Sequence, residues 1–204
     1  MIITNTPQKT LAKAVELKGI GLHSGKAIDL VLRPAAADCG FVFVRTDLDP
    51  QVEIPALAQY VSKTDRGTTL SVEGVDVQTT EHVLAALVGC GINNCRIELN
   101  GAEVPILDGS SKPFVEAIQT AGIQDQEVQQ EIFVVQENIH ITDEASGSEI
   151  LIVPAESTSL TVLIDFETKV LGTQNAVLHK MEDFPSEIAS SRTFSFLHEL
   201  ETLL

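Results

Sequence analysis

Glu81 and His82 are the residues whose types and spacing best suit chemistry, because they follow two threonines directly and open an otherwise apolar stretch. This pattern is typical of a helix N-terminus, where a threonine can cap free backbone N–H groups. The positive end of the helix dipole favours an ionised carboxylate and a neutral imidazole there. Such a carboxylate can act as a general base, and such an imidazole can bind zinc. The alternative is an ordinary acidic first turn beside a structural histidine.

The helix that follows this pair is predicted to hold it in place. Leu84, Leu87 and Val88 recur at helical spacing behind Glu81. We therefore expect these three side chains to form the face of the helix that packs into the core.

His23 is a second candidate site residue, since it lies in a glycine-rich turn between two extended segments, residues 9–18 and 27–33. Alternating apolar side chains in the second segment predict a β-hairpin. Loops on a rigid scaffold often carry binding residues. The functional interpretation is a polar side chain held near a ligand, and the alternative is an ordinary turn histidine.

The remaining pattern predicts an alternation of strands and a few helices. A polar segment poor in large apolar groups, residues 122–131, is the best candidate for a linker, which divides the chain into domains at 1–124 and 125–204. A second helix is expected over residues 113–121, with a serine before it and a glycine after it. Further strands are predicted over residues 41–45, 51–57, 68–72, 75–78, 96–100, 132–135, 139–142, 149–153 and 160–166.

Composition excludes several classes of function. The chain of 204 residues carries a formal charge of −16, and no cluster of lysine and arginine offsets it. Binding to nucleic acid or to anionic lipid through basic side chains is therefore not expected. Neither a signal peptide nor an 18-residue apolar stretch is recognisable, so we expect a cytoplasmic protein.

Three cysteines, Cys39, Cys90 and Cys95, lie in apolar or strand-like surroundings. Their odd number favours reduced core thiols over a disulfide framework. A zinc site built from Cys90, Cys95 and His82 is disfavoured because the spacing matches no common zinc pattern.

Five blocks of sequence, in order, resemble one known family. The segment from Thr79 to Leu87 resembles the conserved segment of the UDP-3-O-acyl-N-acetylglucosamine deacetylases, which are zinc hydrolases of the committed step of lipid A synthesis. The other four blocks are residues 19–25, 45–48, 105–111 and 191–196. Together they cover nearly the whole chain, which makes the resemblance specific although each block alone is weak.

The resemblance implies an α+β fold of two similar domains, each a small β-sheet with helices packed between the two sheets, and an active site in the cleft between domains. It makes His82 one of three zinc ligands and Glu81 the base that activates the metal-bound water. Thr193 matches the threonine that binds the carbonyl oxygen of the substrate and can stabilise the developing oxyanion.

Substrate contacts are also implied by the resemblance. Phe194 and Phe196 match aromatic residues near the sugar and the acyl chain, with helix packing as the alternative. The loop containing Gly67 and Thr68 matches a substrate-contacting loop, and His23 gains support as a binding residue. Arg66 stands where the family has an apolar residue in that loop.

The two other zinc ligands of the family have no counterpart in these residues. The remaining histidines lack the family's spacing and are interpreted as bystanders; they are His140, His179 and His198. An apolar stripe at helical spacing from Ile188 runs to Leu204 without a cap. We expect from this a second domain that is incomplete here, and a 204-residue chain that is inactive alone.

Two functions from different classes follow. The first is a zinc amidohydrolase acting on UDP-3-O-(3-hydroxyacyl)-N-acetylglucosamine. The segment from Val170 to Ala176 resembles members fused downstream to a hydroxyacyl-carrier-protein dehydratase, so such a fusion is possible in the parent protein. The second is a non-catalytic module of the same fold that binds a nucleotide-sugar or a partner without turnover.

Overall fold

A computed structural model describes residues 2–145, 147–166 and 168–195. Small β-sheets and few helices make up these parts of the chain, so the predicted α+β class is confirmed. The helices are α1 (Glu81–Gly89), α2 (Lys112–Ala121) and α3 (Phe184–Glu187). The strands are β1 (Ile2–Leu11), β2 (Val15–Ile20), β3 (Ala27–Pro34), β4 (Phe41–Arg45), β5 (Val52–Pro55), β6 (Val61–Lys63), β7 (Thr69–Val72), β8 (Val75–Val77), β9 (Cys95–Leu99), β10 (Ile123–Ile132), β11 (Ile139–Asp143), β12 (Ser148–Ile152), β13 (Leu160–Asp165) and β14 (Thr173–Leu178).

A five-stranded sheet in the order β2-β3-β9-β4-β5 forms the centre of the fold. Its strands pair antiparallel except for β4 and β9, which run parallel. The strands β6, β7 and β8 make a smaller meander that leads directly into α1. This connection places the start of α1 beside the meander.

The core lies between one face of the central sheet and the helices α1 and α2. Alternation in β3 sends Ile28, Leu30 and Leu32 inward, as their spacing predicts. Phe114 of α2 is fully buried in the same core. Three residues from much later in the chain, Leu178, Phe184 and Ala189, belong to this cluster as well.

The buried face of α1 differs from the predicted one. Leu87 is fully buried as expected, and Leu84 is partly buried, but the side chain of Val88 is 50% exposed. The face that packs inward is instead formed by Val83, Ala86 and Leu87. The helix is therefore rotated about its own axis relative to the expectation. Small residues as well as large ones face the sheet.

The predicted linker is a strand. Residues 123–132 form β10, which pairs antiparallel with β1 from Ile2↔Ile132 to Leu11↔Ile123. Two of its glutamines donate through Nε2 to backbone carbonyls elsewhere in the fold, Gln130 to Pro7 of β1 at 2.9 Å and Gln126 to Ala35 at 3.0 Å. The partners of these polar side chains lie far away in the sequence. Composition alone therefore did not indicate a strand. The domain boundary at 124/125 stays a prediction.

Two hairpins, β11–β12 and β13–β14, follow β10. They agree with three of the predicted strands, whereas the strand predicted at 132–135 is wrong and β14 was not predicted. The helix expected from Ile188 onward is also wrong for residues 191–195, which have no regular structure. The leucine stripe beyond residue 195 lies outside the described residues.

Among the described cysteines, none forms a disulfide. Cys95 is buried, and burial raises the pKa of its thiol to about 12, so it stays protonated at neutral pH. Cys39 is exposed, contrary to the expected core position. No helix in the described part of the chain is long and apolar enough to cross a membrane.

Candidate active site

The start of α1 is fastened to the loop that precedes β7. The Thr68 carbonyl oxygen accepts hydrogen bonds from the Thr80 backbone N–H at 3.2 Å and from the Thr80 hydroxyl at 3.1 Å. The sequence predicted that a threonine caps the helix here. The Thr80 side chain bonds to the neighbouring loop instead. This contact brings Gly67 and Thr68, two predicted substrate residues, to the helix that carries Glu81.

Glu81 and His82 stand side by side at this junction. One carboxylate oxygen of Glu81, Oε2, accepts the backbone N–H of Thr68 at 2.9 Å. The other, Oε1, lies 3.9 Å from Nε2 of His82. The side chains of Glu81 and His82 are 38% and 15% exposed, respectively. The Glu81 carboxylate is therefore accessible to solvent, while its hydrogen bond to Thr68 fixes one of its oxygens. This geometry suits a base that takes a proton from a nearby water.

The turn that carries His23 is held from behind by a buried carboxylate. Glu103 accepts the backbone N–H of His23 at 2.9 Å and that of Ser24 at 2.8 Å. Only 1% of Glu103 is exposed. The hydroxyl of Thr79 also donates to Glu103, at 3.4 Å, and Thr79 adopts a left-handed φ of 58° just before α1. Glu103 thus contacts both the histidine turn and the residue pair that leads into α1.

The sequence does not single out Glu103, since a lone glutamate in a loop gives no local signal. Burial raises the pKa of Glu103, but the hydrogen bonds from His23 and Ser24 outweigh it, so the pKa lies below the usual 4.5. The stability that this carboxylate contributes is therefore present above pH 4.5 and is lost as the pH falls through its lowered pKa in the folded state.

A cavity of about 170 Å³ opens between these elements. Its walls combine a cation, a carboxylate, an imidazole, hydroxyls and an amide, which is suitable for a polar ligand. The lining residues are His23, Lys63, Asp65, Gly67, Thr69, Gln78 and Thr79. The predicted residues His23 and Gly67 therefore face a common space, and Glu81 adjoins it through its bond to Thr68.

Thr193 is connected to the strand before His23 through the loop at 105–111. Its backbone N–H donates to the Gly109 carbonyl at 2.8 Å, and Ile106 of the same loop donates to the Ile20 carbonyl at 3.0 Å. Backbone contacts thus join the block at 191–195 to the loop at 105–111, and that loop to the strand before His23. The side chain of Thr193 is exposed.

The two predicted aromatic residues have different outcomes. The ring of Phe194 packs edge-on against that of Phe166, with centroids 4.9 Å apart, and 55% of Phe194 is exposed. This contact agrees with a packing role and leaves ring surface for a ligand. Phe196 lies outside the described residues.

The described residues do not complete a zinc site. His82 supplies one imidazole, but no group of three histidine, cysteine or carboxylate side chains capable of holding a metal occurs within residues 2–145, 147–166 and 168–195. His140 pairs instead with Glu149 on the surface at 3.6 Å. Catalytic zinc normally takes three protein ligands, so a zinc bound at His82 would need ligands from elsewhere.

The family of the chain follows from comparison with known proteins. Residues 8–204 match the model of the UDP-3-O-acyl N-acetylglycosamine deacetylases. The chain belongs to this deacetylase family. All five sequence blocks that resembled the deacetylases lie mainly or wholly within the described residues. The block at residues 45–48 joins the site through Arg45, which donates to the Asp76 carbonyl at 2.8 Å in the strand before Gln78.

Individual deacetylase relatives agree with this assignment. A UDP-3-O-acyl-N-acetylglucosamine deacetylase of Myxococcus xanthus is 46% identical over 96% of this chain and 62% of its own length. The protein of the same name from Hahella chejuensis is 42% identical over 96% of the chain and 65% of its length. A bifunctional enzyme LpxC/FabZ of Chlorobaculum tepidum is 43% identical, with 96% of the chain and 42% of that protein covered. The chain thus spans less than two thirds of these relatives.

We expect Gly21→Ala to destabilise the histidine turn more than Gly25→Ala. A Cβ at Gly21 would overlap the Glu103 carboxylate and the Ser24 hydroxyl, whereas a Cβ at Gly25 has open space. Overpacking of this kind costs about 1–3 kcal/mol. Replacing Gly25, whose φ is 63°, costs about 1 kcal/mol through its left-handed backbone.

Urea unfolding of the two variants checks this expectation. The free energy of unfolding should fall more for Gly21→Ala than for Gly25→Ala. Equal losses would mean that Glu103 moves aside freely, contrary to its tight packing under the turn.

Proposed function

We propose that the protein containing this chain removes the acetyl group from UDP-3-O-(3-hydroxyacyl)-N-acetylglucosamine in the cytoplasm, as a step of lipid A synthesis. The observation that carries the proposal is the Glu81–His82 pair at the start of α1, beside a polar cavity, in a chain of the deacetylase family. Hydrolysis of an amide needs a base for the attacking water and a donor for the oxyanion, and both groups have candidates here.

Each residue of the site has a proposed role. Glu81 takes the proton of the attacking water, with its orientation fixed by the Thr68 N–H. Thr193 donates a hydrogen bond to the carbonyl oxygen as negative charge develops on it. His23, Gly67 and Thr68 contact the substrate, and Phe194 and Phe196 border the sugar and the acyl chain.

Zinc is the cofactor proposed for the complete protein, with His82 as one ligand. Because the described residues do not supply the other ligands, none of the roles given above to this chain's residues depends on the metal. The missing ligands would have to come from residues that the structure does not describe or from further chain.

A non-catalytic role is the second candidate, and the incomplete ligand set among the described residues favours it. In that case the 204 residues would bind a nucleotide-sugar or a partner without turning it over. The reading frame beyond Leu204 distinguishes the two functions, because a following helix with a histidine and an aspartate at metal-ligand spacing would complete the enzyme.

A fused dehydratase is proposed as a further part of the parent protein. Relatives named bifunctional enzyme LpxC/FabZ, from Chlorobaculum tepidum and Bacteroides thetaiotaomicron, are 43% and 42% identical to this chain. Relatives named only as deacetylases are similarly close. The same reading frame would therefore decide whether this fusion exists.

We expect the 204-residue chain alone to have no measurable deacetylase activity and to bind zinc weakly. One imidazole and water form no preformed cage, so the affinity of a three-ligand site is lost. Acetate release from the nucleotide-sugar substrate and zinc titration test this, with the complete reading frame as the active control. Turnover by the 204 residues that a chelator abolishes and zinc restores would contradict it, and a complete reading frame without turnover would contradict the enzymatic function.

A further inference from the structure

Glu103 occupies an unusual position for a carboxylate. It is almost fully buried, and hydrogen-bond donors from two different parts of the site reach it. Oε2 receives the N–H of Ser24, while Oε1 receives both the N–H of His23 and the hydroxyl of Thr79. A single oxygen thus joins the histidine turn to the residue that precedes Thr80 and α1.

The surrounding backbone holds Glu103 rigidly in this place. Gln78 and Glu103 form an isolated parallel bridge, in which the Gln78 N–H donates to Ala102 and the Val104 N–H donates to Gln78. On the other side, the absence of a Cβ at Gly21 leaves room for the carboxylate against the turn. The backbone of Glu103 is therefore placed by the bridge to Gln78, independently of the turn that its side chain supports.

The turn has its own internal bonds, so Glu103 is not needed to close it. Gly21 donates to Lys26 at 2.9 Å, and Gly25 donates to Gly21 at 3.0 Å. What the carboxylate adds is the orientation of the turn relative to α1. The His23 backbone N–H is held by Glu103, while His23 itself lines the cavity together with Thr79.

We propose that Glu103 is a positioning residue, which fixes the His23 turn against the entry to α1 so that His23 and Glu81 face the same bound substrate. This inference rests on the proposed function, because it assigns His23 to substrate binding. Glu103 is buried and does not line the cavity, so it would act through His23. A buried carboxylate that accepts several N–H and O–H donors holds each donor in place, because moving one donor away would cost the carboxylate a hydrogen bond.

Glutamine at position 103 is the sharpest change. It keeps the shape of the side chain, but its amide group can accept at only one end and presents N–H₂ to a donor at the other. One of the backbone N–H groups of His23 and Ser24 must then lose its partner. Glu103→Asp keeps the charge with a shorter reach, and it replaces Glu103→Gln if that variant does not fold.

The first measurement is independent of catalysis. In the 204-residue chain with ¹³C-labelled histidine, Glu103→Gln should shift and broaden the ring resonances of His23 and leave those of His140 and His179 unchanged. Glu149→Gln is the matched control, since Glu149 faces His140 on the surface, and it should move only the His140 signals. An unchanged His23 spectrum in a folded Glu103→Gln variant would overturn the proposal.

The second measurement uses turnover by the complete reading frame. Misplacement of a substrate-binding group by about 1 Å can lower activity by up to about 100-fold, and we expect kcat/KM of Glu103→Gln to fall toward that extent. In a His23→Ala background, Glu103→Gln should alter kcat/KM by no more than about twofold, because the histidine through which Glu103 acts is then absent. Equal losses in both backgrounds would show that Glu103 only stabilises the fold.

These two measurements separate the positioning role from the proposed function. Absence of turnover in the unmodified reading frame would overturn the deacetylase function, while the histidine spectra would still decide whether Glu103 orients the turn. Turnover with unchanged spectra in Glu103→Gln would keep the enzyme and reject the positioning role.

Discussion

Replacing Glu81 with glutamine in the complete reading frame should lower turnover by about 10²–10⁴-fold, the usual contribution of a positioned general base. The amide oxygen of glutamine can still accept the Thr68 N–H, which now bonds to Glu81 at 2.9 Å, so the loop at 64–68 should keep its place. The amide cannot take a proton from water, and this is the property that the substitution removes. Acetate release measures the loss, and circular dichroism checks that the fold is unchanged.

His82→Ala is the matched comparison, because it should abolish turnover through a different route. If His82 is a metal ligand, its loss should lower the zinc content of the purified protein, whereas Glu81→Gln should retain zinc. Equal zinc loss in both variants would contradict the separate roles of the two residues. Unchanged zinc in both would remove His82 from the ligand set.

The second large effect is expected from Phe184→Ala, which should cost about 3–5 kcal/mol of unfolding free energy in the 204-residue chain. Phe184 is only 8% exposed and belongs to the main core cluster. Its ring packs so closely on the end of α1 that a Cβ at Gly89 would overlap it. The late segment that contains α3 is thereby fastened to the helix that carries Glu81 and His82.

Phe133→Ala is the control for this change. Phe133 is 75% exposed, and removing it should alter the free energy of unfolding by less than about 0.5 kcal/mol. Urea titration followed by tyrosine fluorescence and circular dichroism measures both variants. A small loss of unfolding free energy for Phe184→Ala, similar to that of the control, would mean that α3 does not stabilise the core between the central sheet, α1 and α2.

The sequence predicted those elements whose signals are local. The strand Phe41–Arg45 has the expected bounds, and the hairpin of β7 and β8 turns at Glu73 and Gly74 as their residue types indicate. Helix α2 begins after Ser111 and ends before Gly122, whose φ of 74° suits a glycine that follows a helix. Helix α1 begins at Glu81, so the position of Glu81 and His82 in its first turn was also predictable.

The features that the sequence did not reveal depend on long-range partners. The polar strand β10 is stable because Gln126 and Gln130 bond across to residues far earlier in the chain, which no local pattern indicates. Glu103 acquires its role only when the fold brings His23 and Thr79 to it. Val88 was assigned to the core because hydrophobicity alone does not fix the rotation of a short helix.

The pairing of β1 with β10 has a consequence for the order of events during synthesis. Roughly 110 residues separate the two strands along the chain, and at about 5–20 residues per second a ribosome needs about 6 to 22 seconds to make this intervening segment. The central sheet, α1 and α2 can assemble in that interval, but β1 gains its strand partner only as residues 123–132 leave the exit tunnel, beginning with Ile123 opposite Leu11. We therefore expect nascent chains that stop before Gly122 to expose the edge of β1 to chaperones, and chains extended well past Ile132 to protect it.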